Sequence, residues 1–420
     1  MTPKDIVIPP DRLGARAATV VFLAFASAYF FSALLRAITA TLAPVLTQEF
    51  ALQARDLGLL AGGFFLGFAA VQLPLGTWLD RHGPKRVILW FLSLAVVGCL
   101  AFSVASSFAG LLTARVLVGM GVGACLMAAL TGYRRWFDTA TLLRTNSWML
   151  MTGSLGMLAS TLPVQWLMPL TGWRPLFWLL AGLIVLSMGT IAWIVPHWRA
   201  TALPAPAGLL PKGVNPDEAG YAPIWRSRYF HKMAPLAFFN YGGMVAIQTL
   251  WAGPWMVRVA GNTPLESATG LFWINASMLV TFWTWGMVNP HLVRRGWSAA
   301  RLITWGVPLS LAVLAFNIFA GTATGWLGWA LFCMSSSVMG LAQPAVGMSF
   351  QAGLAGRAMS AFNLVIFAGV FVAQWGLGLL IDGFAAMGLA QVASFQAAMA
   401  VYLCCALAAY SYFVSVNADN

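Results

Sequence analysis

Charged residues make up only 8% of this 420-residue chain, against 60% hydrophobic ones. A soluble domain carries about 25% charged residues, and a water-exposed surface for a chain this long needs more polar groups than are present. That excludes a soluble enzyme, a disordered chain and a nucleic-acid-binding domain, the last despite a formal net charge of +12. Cysteine and histidine are sparse as well. Cys99, Cys125, Cys333, Cys404 and Cys405 lie inside apolar segments at spacings that suit neither a disulfide framework nor a metal site. The four histidines (His82, His197, His231 and His291) are scattered over predicted segment ends, so neither a metal nor another cofactor is expected. No Ser/His/Asp set and no phosphate loop occurs, and no enzymatic activity is expected. Residues 1–16 lack the short apolar core and cleavage site of a removable signal peptide.

Long apolar runs are what the chain has in quantity, and its mean hydropathy is +0.81. One bilayer span takes about 20 apolar residues. Apolar windows and their breakers predict twelve spans, at 18–46, 57–79, 87–107, 109–133, 146–168, 175–196, 231–257, 266–290, 302–320, 323–348, 359–384 and 391–413. The one long polar interruption, 197–229, carries Pro204, Pro206, Pro211, Pro216 and Pro223 and divides six spans from six. The expected organisation is an N-terminal segment 1–17, a six-helix bundle 18–196, a linker 197–229, a second six-helix bundle 230–413 and a tail 414–420. Basic residues set the orientation. They gather at the N-terminus (Lys4, Arg12, Arg16), in the linker (Arg199, Lys212, Arg226, Arg228) and in every second loop, among them Arg134, Arg135 and Arg301. The opposite loops hold only Arg55, Arg174 and Arg258. Both termini and the linker are therefore expected in the cytoplasm, and the basic excess is a topology signal.

The halves echo one another. Arg81, Gly83, Arg144, Ser147 and Gly156 recur as Arg294, Gly296, Arg357, Ser360 and Gly369, always 213 residues later. Two six-helix halves related by an axis along the membrane normal place a binding site between them, near the bilayer midplane.

The segment Gly76-Thr-Trp-Leu-Asp80-Arg81-His-Gly83-Pro-Lys85-Arg86, between spans two and three, resembles the signature loop of the major facilitator superfamily, G-x-x-x-D-R-x-G-x-[RK]-R. Arg115-Val-Leu-Val-Gly119 resembles the second motif of that family, and Trp136-Phe137 ahead of Arg144 a third element. The resemblance covers the whole chain. It implies an all-α membrane protein of twelve transmembrane helices in two pseudo-symmetric bundles, transporting by alternating access. It also implies a conformational clamp. A bare Gly76 lets another helix pack closely, and Asp80 accepts hydrogen bonds from the free N–H groups that begin span eleven near 358–360. Arg81, Lys85 and Arg86 then bind Asp80 or helix C-terminal carbonyls, with Gly83 at the turn and Arg115 in a structural or gating role. The second half departs from the pattern, with Val293 in the place corresponding to Asp80, so a latch there is weaker or absent.

All eleven acidic residues fall at span ends or in loops. Arg36 and Arg115 do not, and an embedded arginine costs about 2.5–3.5 kcal/mol on insertion scales. Arg36 lies about 15 Å inside span one, taking 1.5 Å per residue. It shares one helical face with Tyr29, Ser32 and Thr39. Shifting that stripe by 212 residues yields Tyr241, Met244, Gln248 and Trp251 in span seven, extended by Trp255 as an interface anchor. A deep guanidinium without an acid suits a small organic anion, because its planar fork matches a carboxylate or phosphate. Gln248 and Trp251 are expected opposite Arg36, with Tyr29 and Tyr241 bounding the apolar part of the ligand and Asn363 contributing from span eleven. Gln72, Asn275 and Gln374 are expected mainly to join helices by hydrogen bonds, and the 19 methionines to fill the core.

These observations predict a secondary transporter for a small organic anion, a carboxylate or phosphate ester. It would act as a monomer in a bacterial inner (plasma) membrane, with the bilayer and its small-molecule substrate as partners and no nucleic acid. The missing intramembrane acid favours exchange, uniport, or co-transport in which the proton rides on the substrate. The alternatives are an exporter of drug-like cations or neutral metabolites and, from another class, a membrane sensor that binds without transporting.

Overall fold

The structure, a computed structural model, describes residues 13–137, 139–196 and 220–416. The terminal stretches 1–12 and 417–420, linker residues 197–219 and the side chains of Arg144 and Ser147 lie outside the described residues. Among the described residues every regular element is helical. In chain order the first half comprises α1 Ala15–Phe50, α2 Ala54–Ala70, α3 Gln72–His82, α4 Pro84–Val104, α5 Phe108–Val122, α6 Cys125–Trp136, α7 Thr139–Ala159, α8 Leu162–Thr171 and α9 Trp173–Ile194. The short α10 Ala222–Trp225 leads into α11 Arg228–Leu236, α12 Gly242–Ala246 and α13 Ala252–Arg258, with π-helical turns at Ala237–Tyr241 and Ile247–Trp251 between them. There follow α14 Pro264–Arg294, α15 Ala299–Ala320, α16 Trp326–Ser336, α17 Ala342–Met348, α18 Ala352–Ala386 and α19 Gln391–Ser415.

Proline explains why some predicted spans are interrupted. Its ring clashes with the carbonyl four residues earlier and removes that carbonyl's hydrogen bond. Helix α2 ends at Ala70, four residues before Pro74, and α3 departs from it at 44°. Helix α7 ends at Ala159, four residues before Pro163, and α8 begins at Leu162. Pro254 strips a donor from the carbonyl of Leu250, inside the second π turn. Nine helices among the described residues are long and apolar enough to cross a membrane, and the bent α2–α3 pair is a tenth. The other two of the twelve predicted spans are those interrupted at Ser160–Thr161 and by the π turns. Large apolar side chains such as Trp193 and Phe319 stand exposed, as a lipid-facing surface requires.

The repeat has structural counterparts. Gly83 and Gly296 take φ of 77° and 80°, a left-handed conformation that glycine adopts without strain. Gly156 presses on the backbone of Phe30, and Gly369 on that of Phe238, so closely that a Cβ at either would collide with the facing carbonyl. Buried residues form two clusters. One is drawn from α1–α9 together with Ala246, Phe367 and Val370, and the other mostly from α10–α19 together with Ala40, Ala43, Ala54, Leu57 and Ala61. The antiparallel packing of α2–α3 against α18 joins the two.

Candidate functional site

A cavity of about 140 Å³ lies where the clusters meet. Helix α1 contributes Tyr29, Ser32 and Arg36, and Phe68 and Gln72 stand on either side of the α2–α3 bend. From the other side come Tyr241, Val245, Gln343 on α17, and Asn363, Ile366 and Phe367 on α18. Among the described residues no Asp or Glu lines it, and Arg36 is its one charged group. Its Nε is buried with no hydrogen-bond partner, and its Cζ lies 5.4 Å from the Phe68 ring centroid and 5.6 Å from that of Phe367. Aromatic faces attract a cation but accept nothing from its in-plane N–H groups; the Tyr29 hydroxyl is a hydrogen-bond partner of the guanidinium, while Nε has none.

Three amides of the cavity lining form a connected chain. Gln343 Nε2 donates to Asn363 Oδ1 at 3.4 Å, Asn363 Nδ2 to Gln72 Oε1 at 3.0 Å, and Gln72 Nε2 to the Phe68 carbonyl at 3.0 Å. The Asn363–Gln72 bond links the two halves of the chain. Arg115 is fully buried on α5. Its Nη1 donates to the carbonyl of Leu35, 3.0 Å away, and its Cζ sits 5.1 Å from the Phe64 ring centroid. Since Leu35 precedes Arg36, this contact fixes the backbone that carries the cavity's charge.

Tyr29, Arg36, Tyr241 and Asn363 thus come together as expected from sequence, whereas Gln248 and Trp251 do not line the cavity. Gln248 Nε2 donates to Asn275 Oδ1 on α14 at 3.0 Å, and Trp251 Nε1 donates to the Gln374 carbonyl at 3.1 Å. Both lie in the second π turn, Ile247–Trp251, whose i→i+5 bonds depart from the α-helical spacing at which the stripe is counted. Trp255 is not an interface anchor either. It is fully buried and meets Trp329 edge to face, with ring centroids 5.2 Å apart. Phe68, Phe367 and Gln343 escaped the sequence reading. Gln343 left one signal, a lone amide in an apolar stretch just before Pro344.

In the signature loop, Lys85 Nζ donates to the carbonyl of Val195 at 2.8 Å, a helix C-terminal contact at α9 as anticipated. Tyr221, in the connection between the halves, donates its hydroxyl to the Leu73 carbonyl at 3.0 Å. Burial raises the Tyr221 pKa, the charge of Arg357 opposes the rise and that of Asp80 adds to it, so the three share one neighbourhood. Asp80, Arg81 and Arg86 are exposed. Gly76 does not admit a closely packed helix in this conformation: a Cβ there would meet nothing within 4 Å. Close packing occurs at the other end of the pair. Glycines 58, 62 and 378 lie against Gln374, Phe371 and Ala54, and the Asp382 carboxylate accepts from the N–H groups of Ala54 at 3.1 Å and Arg55 at 2.8 Å.

The profile described as Major Facilitator Superfamily matches residues 25–374. Among curated relatives, the probable sulfoacetate transporter SauU of Cupriavidus necator is 25% identical over 247 residues, 56% of either chain, so this match spans about half of that protein. The probable L-galactonate transporter of Escherichia coli is 27% identical over 391 residues, 83% of this chain and 82% of that one. The multidrug resistance protein MdtL of Escherichia coli is 26% identical over 307 residues, 65% of this chain and 75% of that one. Among solved structures, a bacterial homologue of the human lysosomal transporter Spinster, inward-facing and unoccupied, superposes with a TM-score of 0.75. That match has 16% identity and covers 96% of this chain and 97% of that one.

Proposed function

The chain belongs to the Major Facilitator Superfamily, and on that premise we propose that it moves a small organic anion, a carboxylate or phosphate ester, through the Arg36 cavity by alternating access. It is a multi-pass membrane transporter, and the finer reading rests on one observation. Among the described residues Arg36 is the cavity's only charged group, and no acid lines the cavity to neutralise it. A charge at that depth is costly unless a partner meets it, and an anionic substrate supplies the partner. A planar guanidinium with covered faces suits the two parallel hydrogen bonds of a carboxylate or phosphate.

Two further facts favour this reading over export of drug-like cations, which the likeness to MdtL raises. A cation would face Arg36 with like charge. The cavity, at about 140 Å³, is also well below the roughly 300–1,000 Å³ of sites for drug-sized ligands. The names of SauU and the L-galactonate transporter, both organic-anion carriers by description, lend support. Cavity walls drawn from both buried clusters suit a site opened alternately as the halves 18–196 and 230–413 rock on each other. The basic loops orient both termini and the linker toward the cytoplasm of a bacterial inner membrane, where the chain works as a monomer. With no acid in the cavity, the cycle runs by exchange, by uniport, or with the proton carried on the substrate.

The test is counterflow into proteoliposomes loaded in turn with carboxylates, phosphate esters and organic cations. Uptake of a labelled anion stimulated only by internal anions is expected, and it should survive collapse of the pH gradient. Stimulation by cations alone would replace the proposal with the exporter reading. Saturable binding without any uptake would replace it with the sensor reading.

A further inference from the structure

The chain of bonds fixes the orientation of all three amides. The Phe68 carbonyl only accepts, so Gln72 must turn its NH₂ toward it and present Oε1 to Asn363. Asn363 must then spend its NH₂ on Gln72 and offer Oδ1 to the NH₂ of Gln343. Every bond points the same way, and the chain ends in an acceptor, Gln343 Oε1, on a residue that lines the cavity. The lining therefore holds a cation with N–H donors and an amide array that ends in an acceptor, together with apolar residues such as Val122, Leu126, Val245 and Ile366.

We propose that Gln343, held by Asn363 and Gln72, is a specificity-determining residue that accepts a hydrogen bond from a hydroxyl group of the transported anion. The substrate class is then a hydroxylated carboxylate: the carboxylate meets Arg36 and a hydroxyl at the far end meets the amide chain. A second carboxylate at that end is disfavoured, because an ionised oxygen brings no proton to an acceptor. An analogue without the hydroxyl leaves the acceptor dry and unpaired, which costs about 5- to 100-fold in affinity. This inference rests on Arg36 as the anion's anchor, and its test separates the two.

Calorimetry on the purified full-length protein would compare matched acids: 4-hydroxybenzoate with benzoate and terephthalate, and gluconate with hexanoate. In at least one series the hydroxylated acid should bind about 5- to 100-fold more tightly than its partner, with terephthalate weakest in the aromatic set. Gln343→Leu should reduce that preference to near unity, chiefly by tightening the unhydroxylated acid, which no longer faces an unpaired acceptor, and a thermal midpoint near the parent's would show that the variant is folded. Asn363→Leu, which removes the support behind Gln343, should act in the same direction. Arg36→Ala should weaken both members of a pair. If both acids bind, both weaken in Arg36→Ala, and neither amide variant changes the ratio, the hydroxyl inference is overturned and the anion reading stands. If Arg36→Ala changes nothing, or no acid binds, the anion reading falls and the inference falls with it.

Discussion

At the Asp382 end of the pair formed by α2 and α18, glycines 58 and 378 bring the two backbones so close that a single Cβ would collide with a carbonyl. There the Asp382 carboxylate also closes on the first N–H groups of α2. At the Asp80 end, along α3, the joining contacts include the Tyr221–Leu73 and Asn363–Gln72 hydrogen bonds, and a Cβ at Gly76 would meet nothing within 4 Å. One end of the helix pair is therefore close-packed at glycine, and the other leaves its glycine uncovered. Asp382 sits near the C-terminal end of α18 and caps the start of α2. The signature motif implies that Asp80, near the C-terminal end of α3, does the same for α18. Under the proposed alternating access, strengthening one such cap at the expense of the other would tilt the halves.

The largest effect is expected from filling the close-packed end. Gly378→Leu forces a side chain into backbone and should destabilise this conformation by about 1–3 kcal/mol or more. That is at least a 5- to 150-fold shift toward the state open at the Asp382 end. Transport initial rates and the labelling of a cysteine placed at Val245, in a background freed of the five native cysteines, would both register it. Asp382→Ala comes next. Loss of two charge-assisted hydrogen bonds should cost about 1.5–3 kcal/mol and raise labelling from the Asp382 side about 10- to 150-fold. A rate unchanged from the parent would show that the cap holds nothing.

Asp80→Asn sharpens the comparison from the other end. It should leave membrane insertion intact and lower transport. Accessibility should shift in the opposite sense to Asp382→Ala. Equal and same-signed shifts for the two variants would contradict the reciprocal arrangement. The smallest effect belongs to Gly76→Ala. With open space around the position, alanine's better helix propensity should raise stability by up to about 1 kcal/mol, seen as a thermal midpoint at or slightly above the parent's. A clear loss would mean that Gly76 packs against a neighbour in the populated state.

Much of this was legible in the sequence, for physical reasons. A bilayer demands long apolar runs, so the helices stood out. Charge is costly at depth, which singled out Arg36 and Arg115, and the polar stripe with Tyr29 and Ser32 separated the cavity's arginine from the other. The spacing around Gly83 announced a turn whose positive φ only glycine meets without strain. Gln248 and Trp251 were misplaced because the stripe was counted at 3.6 residues per turn through a segment that twice widens to a π turn. Nothing in the identities of Ala237–Tyr241 or Ile247–Trp251 announces that widening. Phe68 and Phe367 were invisible for another reason: among 28 phenylalanines, only the fold distinguishes the two that lie over a guanidinium. The breaks after Ala70 and Ala159 were not anticipated, because a proline does not always end a helix: Pro44 and Pro308 lie inside the uninterrupted α1 and α15.

The most direct test of the account is the affinity of purified protein for its transported anion in the parent, Arg36→Lys and Arg36→Ala. Lysine keeps the charge but not the planar pair of donors, so Arg36→Lys should lose about 10- to 150-fold, the equivalent of one charge-assisted hydrogen-bonding contact. Arg36→Ala should show no saturable binding, with both variants still folded in the membrane. Parent-like affinity in Arg36→Ala would contradict the account and return the cavity to a neutral or cationic substrate.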